Sequence, residues 1–192
     1  MWPLLVCSAA VMAAVVERLI MLRRKRVMPE RVLAAAMRAE GDGDVDALLL
    51  SLRSDDSPLA RILTCVAQNR RLPRDEADAQ VEAVGRVEAR RLARRLIVLE
   101  AVYVVAPMLG LLGTIMGLMV IFQDFSATAA SETRAFSRGI AMALLTTVAG
   151  LAIAIPSYLA HIYFSRRVED LTLELENHAA RLSSALRRQK QP

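Results

Sequence analysis

The residues best placed to do chemistry inside the apolar stretches of this chain are threonines. Thr114 belongs to Ala106-Pro107-Met108-Leu109-Gly110-Leu111-Leu112-Gly113-Thr114-Ile115-Met116-Gly117. Read as a helix, Gly110, Gly113, Thr114 and Gly117 recur at i, i+3, i+4 and i+7 and share one face. Leu111, Leu112, Ile115 and Leu118 stand on the bulky side. In a later apolar run, Gly139, Ala143, Thr146 or Thr147, Gly150 and Ala154 fall on roughly one face, and Pro156 removes a backbone hydrogen bond. A threonine hydroxyl donates and accepts hydrogen bonds without carrying charge. Two roles are open to it: bonding its own i−4 carbonyl while helices pack, or lining a path for a charged group. In hydrocarbon, small residues let helix backbones approach closely. Each stripe therefore reads as an assembly surface with a polar point on it.

An absence sharpens this reading. No Asp, Glu, Lys or Arg lies within Ala101 to Phe122 or within Gly139 to Phe164. A proton path through a bilayer usually needs a titratable group in the membrane. Either the chain transports nothing, or a partner helix supplies a carboxylate. Glu100 is the acid at the cytoplasmic mouth of the earlier run, and interfacial pairing with Arg94, Arg95 or a neighbour is expected of it. His161, near Arg166, reads as an interfacial anchor, and His178 falls in a solvated helix. Gly41-Asp42-Gly43-Asp44 is a turn signal that lacks the remaining ligands of a calcium loop. Cys7 and Cys65 have no ligand or redox spacing and read as reduced packing residues. No nucleophile–base set, metal-ligand spacing or phosphate loop is present, so neither an enzyme nor a metal or cofactor is expected.

The elements that must position these residues follow from where the charges lie. The chain has 192 residues, 55% hydrophobic and 23% charged, with a net charge of +5. Aromatic residues make up 4%, which leaves few stacking groups for single-stranded nucleic acid. The basic residues instead crowd the ends of three apolar runs, as the positive-inside rule requires of cytoplasmic flanks. The expected architecture is all-α: a polytopic membrane protein with three transmembrane helices, the second and third extended into a cytoplasmic helical bundle.

Residues 2–22 form the first span, with Arg23-Arg24-Lys25-Arg26 behind it, so the amino terminus faces outward. Glu17 and Arg18 lie close enough to that basic end to snorkel or pair. Residues 23–95 form a cytoplasmic helical region. There Pro29 opens a helix through Val32, Leu33, Ala36 and Met37, Asp44 caps one through Leu52, and Ser57-Pro58 starts one through Val66. From Arg74 a single long helix, with Gly85 as a weak point, is expected to rise directly into the second span, residues 96–123. A short periplasmic loop, residues 124–137, leads to the third span at 138–164. The carboxyl-terminal helix, residues 165–192, keeps Val168, Leu171, Leu175 and Leu182 at helical spacing.

Two strings then carry a resemblance. Ala106 to Gly117, preceded by Leu99-Glu100, and Gly139-Ile-Ala-Met-Ala-Leu-Leu-Thr-Thr147-Val-Ala-Gly150-Leu-Ala-Ile-Ala-Ile-Pro156 resemble the ExbB/TolQ proton-channel family, and a short ExbB-like subunit most of all. The likeness is strong over the last two spans and weaker at the first run, where Val16-Glu-Arg-Leu19 and the basic cluster fit. The resemblance implies a bacterial inner-membrane, multi-pass protein that forms a homo-oligomeric ring, commonly a pentamer. The ring surrounds the single spans of an ExbD-like partner carrying a membrane Asp and works with a TonB-like protein. It also implies that Thr114 and Thr147 face that Asp, which accounts for the missing carboxylate. ExbB- and TolQ-type members commonly have a Glu where this chain has Met142, which can neither bind a proton nor accept a strong hydrogen bond. The chain starts directly at its first span, as a short variant or a late start site would. On this reading copies pack through Gly110, Gly113 and Gly117 and through Gly139, Ala143 and Gly150. A TolQ-like envelope-constriction subunit, and a non-transporting scaffold that binds proteins through its cytoplasmic helices, are the alternatives.

Overall fold

The computed structural model describes residues 2–127 and 133–188. Among the described residues it is built entirely of helices and turns: α1 (Trp2–Met21), α2 (Arg24–Val27), α3 (Glu30–Asp42), α4 (Val45–Leu52), α5 (Pro58–Gln68), α6 (Arg74–Ala93), α7 (Leu96–Ala127) and α8 (Thr133–Arg188). The chain divides into two compact units, one of Met1–Glu17 with Arg95–Tyr163 and one of Arg18–Arg94 with Phe164–Pro192.

The first unit holds the apolar lengths of α1, α7 and α8. Three helical segments, Trp2–Met21, Leu96–Gln123 and Ser137–Arg188, are long and apolar enough to cross a membrane, with mean hydropathies of 2.1, 2.3 and 2.0. Twenty helical residues span about 30 Å, the thickness of a hydrocarbon core. Their large side chains mostly point outward: Trp2, Met108, Leu111, Met116, Met119 and Met142 are all exposed. Apolar surface on this scale is what a helix presents to lipid or to other membrane helices. The protein is an all-α membrane protein. Within the unit, Arg95 ion-pairs with Glu17.

The second unit has a water-type core. Leu48, Leu59, Ile62, Leu63, Leu171, Leu175 and Leu182 are each no more than 2% exposed. α8 contributes Val168, Leu171, Leu175 and Leu182, all buried, which is the stripe expected from their spacing. Asp44 accepts the Ala47 amide at 3.0 Å to cap α4, and Ser57 accepts the Ala60 amide at 3.3 Å to cap α5. Gly43 ends α3 in the left-handed region, at φ 71°. Ion pairs from Arg24 to Glu174 at 2.9 Å and from Arg181 to Glu40 at 3.2 Å join α8 to α2 and α3.

The helix expected from Pro29 is α3, which buries Val32, Ala36 and Ala39 and leaves Met37 exposed. One expectation needs correction. The single helix expected from Arg74 into the second span is broken at Arg94–Arg95. The cause is local. Arg18, only 4% exposed, donates from Nη1 to the Leu92 carbonyl at 2.6 Å. In an unbroken helix that carbonyl would take the Leu96 amide, so the guanidinium caps α6 where the helix would otherwise continue. α7 continues to Ala127 and α8 begins at Thr133; residues 128–132, within the loop expected at 124–137, lie outside the described residues.

Candidate functional site

α7 and α8 are consecutive helices, and consecutive helices with a short connection pack as antiparallel neighbours. They meet on their small residues. A Cβ added to Gly150 would stand 2.6 Å from the Ala106 carbonyl oxygen and 3.1 Å from Gly110 Cα. One added to Gly110 would stand 2.9 Å from the Thr146 carbonyl oxygen. Gly117 lies against Ala143, Gly113 against the Thr146 side chain, and Gly139 against Ile121. Within one copy the two stripes complement each other along the α7–α8 seam.

This close approach brings three hydroxyls together. Thr114, 9% exposed, has its Oγ1 at 2.5 Å from Thr147 Oγ1 and 3.4 Å from Thr146 Oγ1. Two main-chain carbonyls complete the cluster. The Gly110 oxygen lies 3.2 Å from the Thr114 hydroxyl, 3.0 Å from Thr146 and 3.2 Å from Thr147. The Ala143 oxygen lies 3.2 Å from Thr114 and 2.7 Å from Thr146. Thr146 and Thr147, alternatives on the helical wheel, thus both join Thr114. Both remain half-buried in the isolated chain. The i−4 bond from Thr114 to Gly110 is present beside the cross-helix ones, so packing and polar presentation coexist here.

The seam closes toward the Glu100 end. Ala106 and Ala154 are buried, and fully buried Ser157 donates to the Leu99 carbonyl at 3.0 Å. Tyr103 packs edge-on against Tyr158, with ring centroids 5.2 Å apart, and against His161 at 5.5 Å. His161 is therefore an aromatic packing partner as well as an interfacial residue, although its buried Nδ1 has no hydrogen-bond partner. Glu100 is exposed, and Arg95, one of the groups expected to pair with it beside Arg94 or a neighbour, pairs with Glu17. α8 continues through Pro156. Met142 is exposed, next to the residue whose carbonyl joins the cluster.

The three hydroxyls can exchange hydrogen bonds with a group brought to them, and none of them carries charge. Against this geometry, the sequence over residues 54–177 matches the MotA/TolQ/ExbB proton channel family. The chain belongs to that family. A biopolymer transport protein ExbB homolog of Methanothermobacter thermautotrophicus is 30% identical over 155 residues, which cover 80% of this chain and 55% of that protein. The biopolymer transport protein ExbB of Helicobacter pylori is 36% identical over 81 residues, 42% of this chain and 56% of that one. The biopolymer transport protein exbB1 of Vibrio cholerae is 28% identical over 160 residues, 81% of this chain and 70% of that one. The chain thus spans a little over half the length of the first two relatives. The family is described as one of proton channels.

Other groups emerged only in the structure. Ser157 continues the α8 stripe three residues after Ala154, a signal open to anyone following the spacing. Glu88 gave no such signal. It is 2% exposed, lies 2.8 Å from Arg91 Nη1 and 3.2 Å from Arg61 Nε, and ties α6 to α5. A cavity of about 470 Å³ in the second unit is lined in part by Arg74, Asp78, Glu82 and Arg187, and its Ser184 hydroxyl donates to the Arg181 carbonyl while Ser183 accepts from Arg187.

Proposed function

We propose that this protein is the ring-forming subunit of an inner-membrane proton channel, ExbB-like in kind. With an ExbD-like single-span partner it couples the proton-motive force to TonB-dependent outer-membrane transport. The observation that carries the reading is the hydroxyl cluster of Thr114, Thr146 and Thr147, set in two stretches, Ala101 to Phe122 and Gly139 to Phe164, that contain no Asp, Glu, Lys or Arg. A carboxyl on the partner, brought to the open side of this cluster, accepts hydrogen bonds from it when charged and gives them up when protonated. A proton falling through 100 mV releases about 2.3 kcal/mol, and alternation of the partner acid lets that energy move partner against ring. The exposed apolar faces of α7 and α8 supply the contacts between copies, since the small-residue faces are spent within each copy. The amino terminus faces the periplasm and the second unit the cytoplasm, as the basic flanks require. The names of the matched relatives favour the ExbB-type system over the TolQ-type one.

The test is co-reconstitution with an ExbD-like partner in vesicles that contain a pH-sensitive dye. Partner-dependent acidification is expected, and Thr147→Val is expected to slow it measurably without abolishing it, at unchanged assembly. A chain that assembles with the partner but gives no flux is a scaffold, and the proposal fails.

A further inference from the structure

The cluster's three hydroxyls carry three protons, and counting where they go separates the roles of two adjacent threonines. In a continuous helix the Gly110 carbonyl already accepts the Thr114 amide and the Ala143 carbonyl accepts the Thr147 amide. Each then has one lone pair left for a hydroxyl. Those two places suit Thr114 and Thr146. Thr146 reaches across to Gly110 at 3.0 Å and Thr114 reaches back to Ala143 at 3.2 Å. The alternative, Thr146 to Ala143 at 2.7 Å and Thr114 to Gly110 at 3.2 Å, fills the same two carbonyls. In both patterns the third proton, that of Thr147, goes to the Thr114 hydroxyl oxygen; in a third, Thr147 takes the Gly110 carbonyl and Thr114 donates to Thr147, and Thr114 takes over that carbonyl at 3.2 Å when Thr147 leaves it. Thr147 can therefore turn away without emptying either carbonyl. That holds only while Thr146 is present. Without the Thr146 hydroxyl one carbonyl is vacant, and Gly110 lies 3.2 Å from Thr147 Oγ1, near enough to claim its proton.

We propose that Thr146 is a positioning residue: by filling a seam carbonyl it leaves the Thr147 hydroxyl free to bond a carboxylate presented from outside the α7–α8 pair. The identity of that carboxylate rests on the function proposed above; the coupling between the two threonines does not.

Two measurements test this. In vesicles with the ExbD-like partner, Thr146→Val, which keeps the side-chain shape, lowers flux about fivefold, the worth of one hydrogen bond; Thr146→Ser restores most of it. Because Thr146 acts through Thr147, the Thr146→Val/Thr147→Val double variant falls no further than Thr147→Val alone. A multiplicative loss in the double variant, or a Thr146→Ser as impaired as Thr146→Val, overturns the proposal. Independently, threonine-methyl NMR of the chain alone in nanodiscs reads the Thr147 side-chain torsion. Averaging between rotamers is expected in the wild type and a single rotamer in Thr146→Val. A Thr147 signal that Thr146→Val leaves unmoved refutes the coupling whatever the flux. A locked rotamer without partner-dependent flux in the wild type refutes the transport reading and leaves the coupling standing.

Discussion

Replacing Gly150 by Ala tests whether the α7–α8 seam is as tight as its geometry states. The added methyl would lie 2.6 Å from the Ala106 carbonyl oxygen, 3.1 Å from Gly110 Cα and 3.3 Å from Gly110 N. All three atoms are backbone, so no side chain can rotate to make room. An ordinary carbon–oxygen contact needs about 3.3 Å, so the helices must part by roughly 0.7 Å. Added to the 3.0 and 3.2 Å distances from Thr146 and Thr147 to the Gly110 oxygen, that displacement carries both past the limit of a hydrogen bond, about 3.5 Å. Overpacking costs about 1–3 kcal/mol, and two interhelical hydrogen bonds in a membrane add about 0.6 kcal/mol each. The expected destabilisation is therefore about 2–4 kcal/mol, read as a lower midpoint on titrating micelle-embedded protein with a denaturing detergent. Gly85→Ala is the matched control. A Cβ there meets nothing within 4 Å, so the gain in helix propensity, about 1 kcal/mol, should raise stability. A Gly150→Ala protein as stable as wild type, or a Gly85→Ala protein equally weakened, would refute the packing argument.

Two other perturbations probe the second unit. Arg61→Ala removes one of two cations holding the buried Glu88 carboxylate, at 3.2 Å, and should cost about 2–3 kcal/mol, whereas Arg24→Ala, which breaks the solvent-exposed pair with Glu174, should cost under about 1 kcal/mol; equal losses in denaturant titrations would mean that Glu88 is not held as described. Arg18→Ala leaves the Leu92 carbonyl without its 2.6 Å donor, so the α6 helix should extend toward α7 and the Leu96 amide should exchange more slowly with deuterium; faster exchange at Leu96 would show that Arg18 is not what ends α6.

Much of the fold was legible because its signals are local. Caps at Asp44 and Ser57, the turn at Gly43 and the stripe Val168–Leu171–Leu175–Leu182 each depend on residues within a turn or two of one another. The break at Arg94 was not legible, since it depends on Arg18 arriving from 74 residues away. Propensity along Arg90 to Leu96 favours helix throughout, and only a tertiary donor at Leu92 overrides it. The same distinction applies at the site. Spacing identified the glycine and threonine faces but could not say whether a small-residue face meets a copy or its own neighbour, because both satisfy the same requirement for close backbones. Nor could it choose between Thr146 and Thr147. Their Cβ atoms differ by 100° on an isolated helix, yet α7 approaches closely enough for Thr114 to reach both hydroxyls.

On the proposed function, the chemistry of the cluster also bears on why the charge would be left to a partner. An ionised group left alone in hydrocarbon costs several kcal/mol at least, whereas hydroxyls bonded to spare carbonyl lone pairs on a neighbouring helix stay satisfied without water. With Thr114, Thr146 and Thr147 sharing the Gly110 and Ala143 carbonyls, α7 and α8 pair as neutral, self-satisfied spans before any partner arrives. Met142 keeps the neighbouring position neutral too. The polar groups are thus held ready at no cost in buried charge, and in the proposed assembly the ionisable group enters only with the partner. On that proposal charge in the membrane is conditional on a complete complex: an unassembled subunit offers protons no carboxylate within these two stretches and is expected not to leak them.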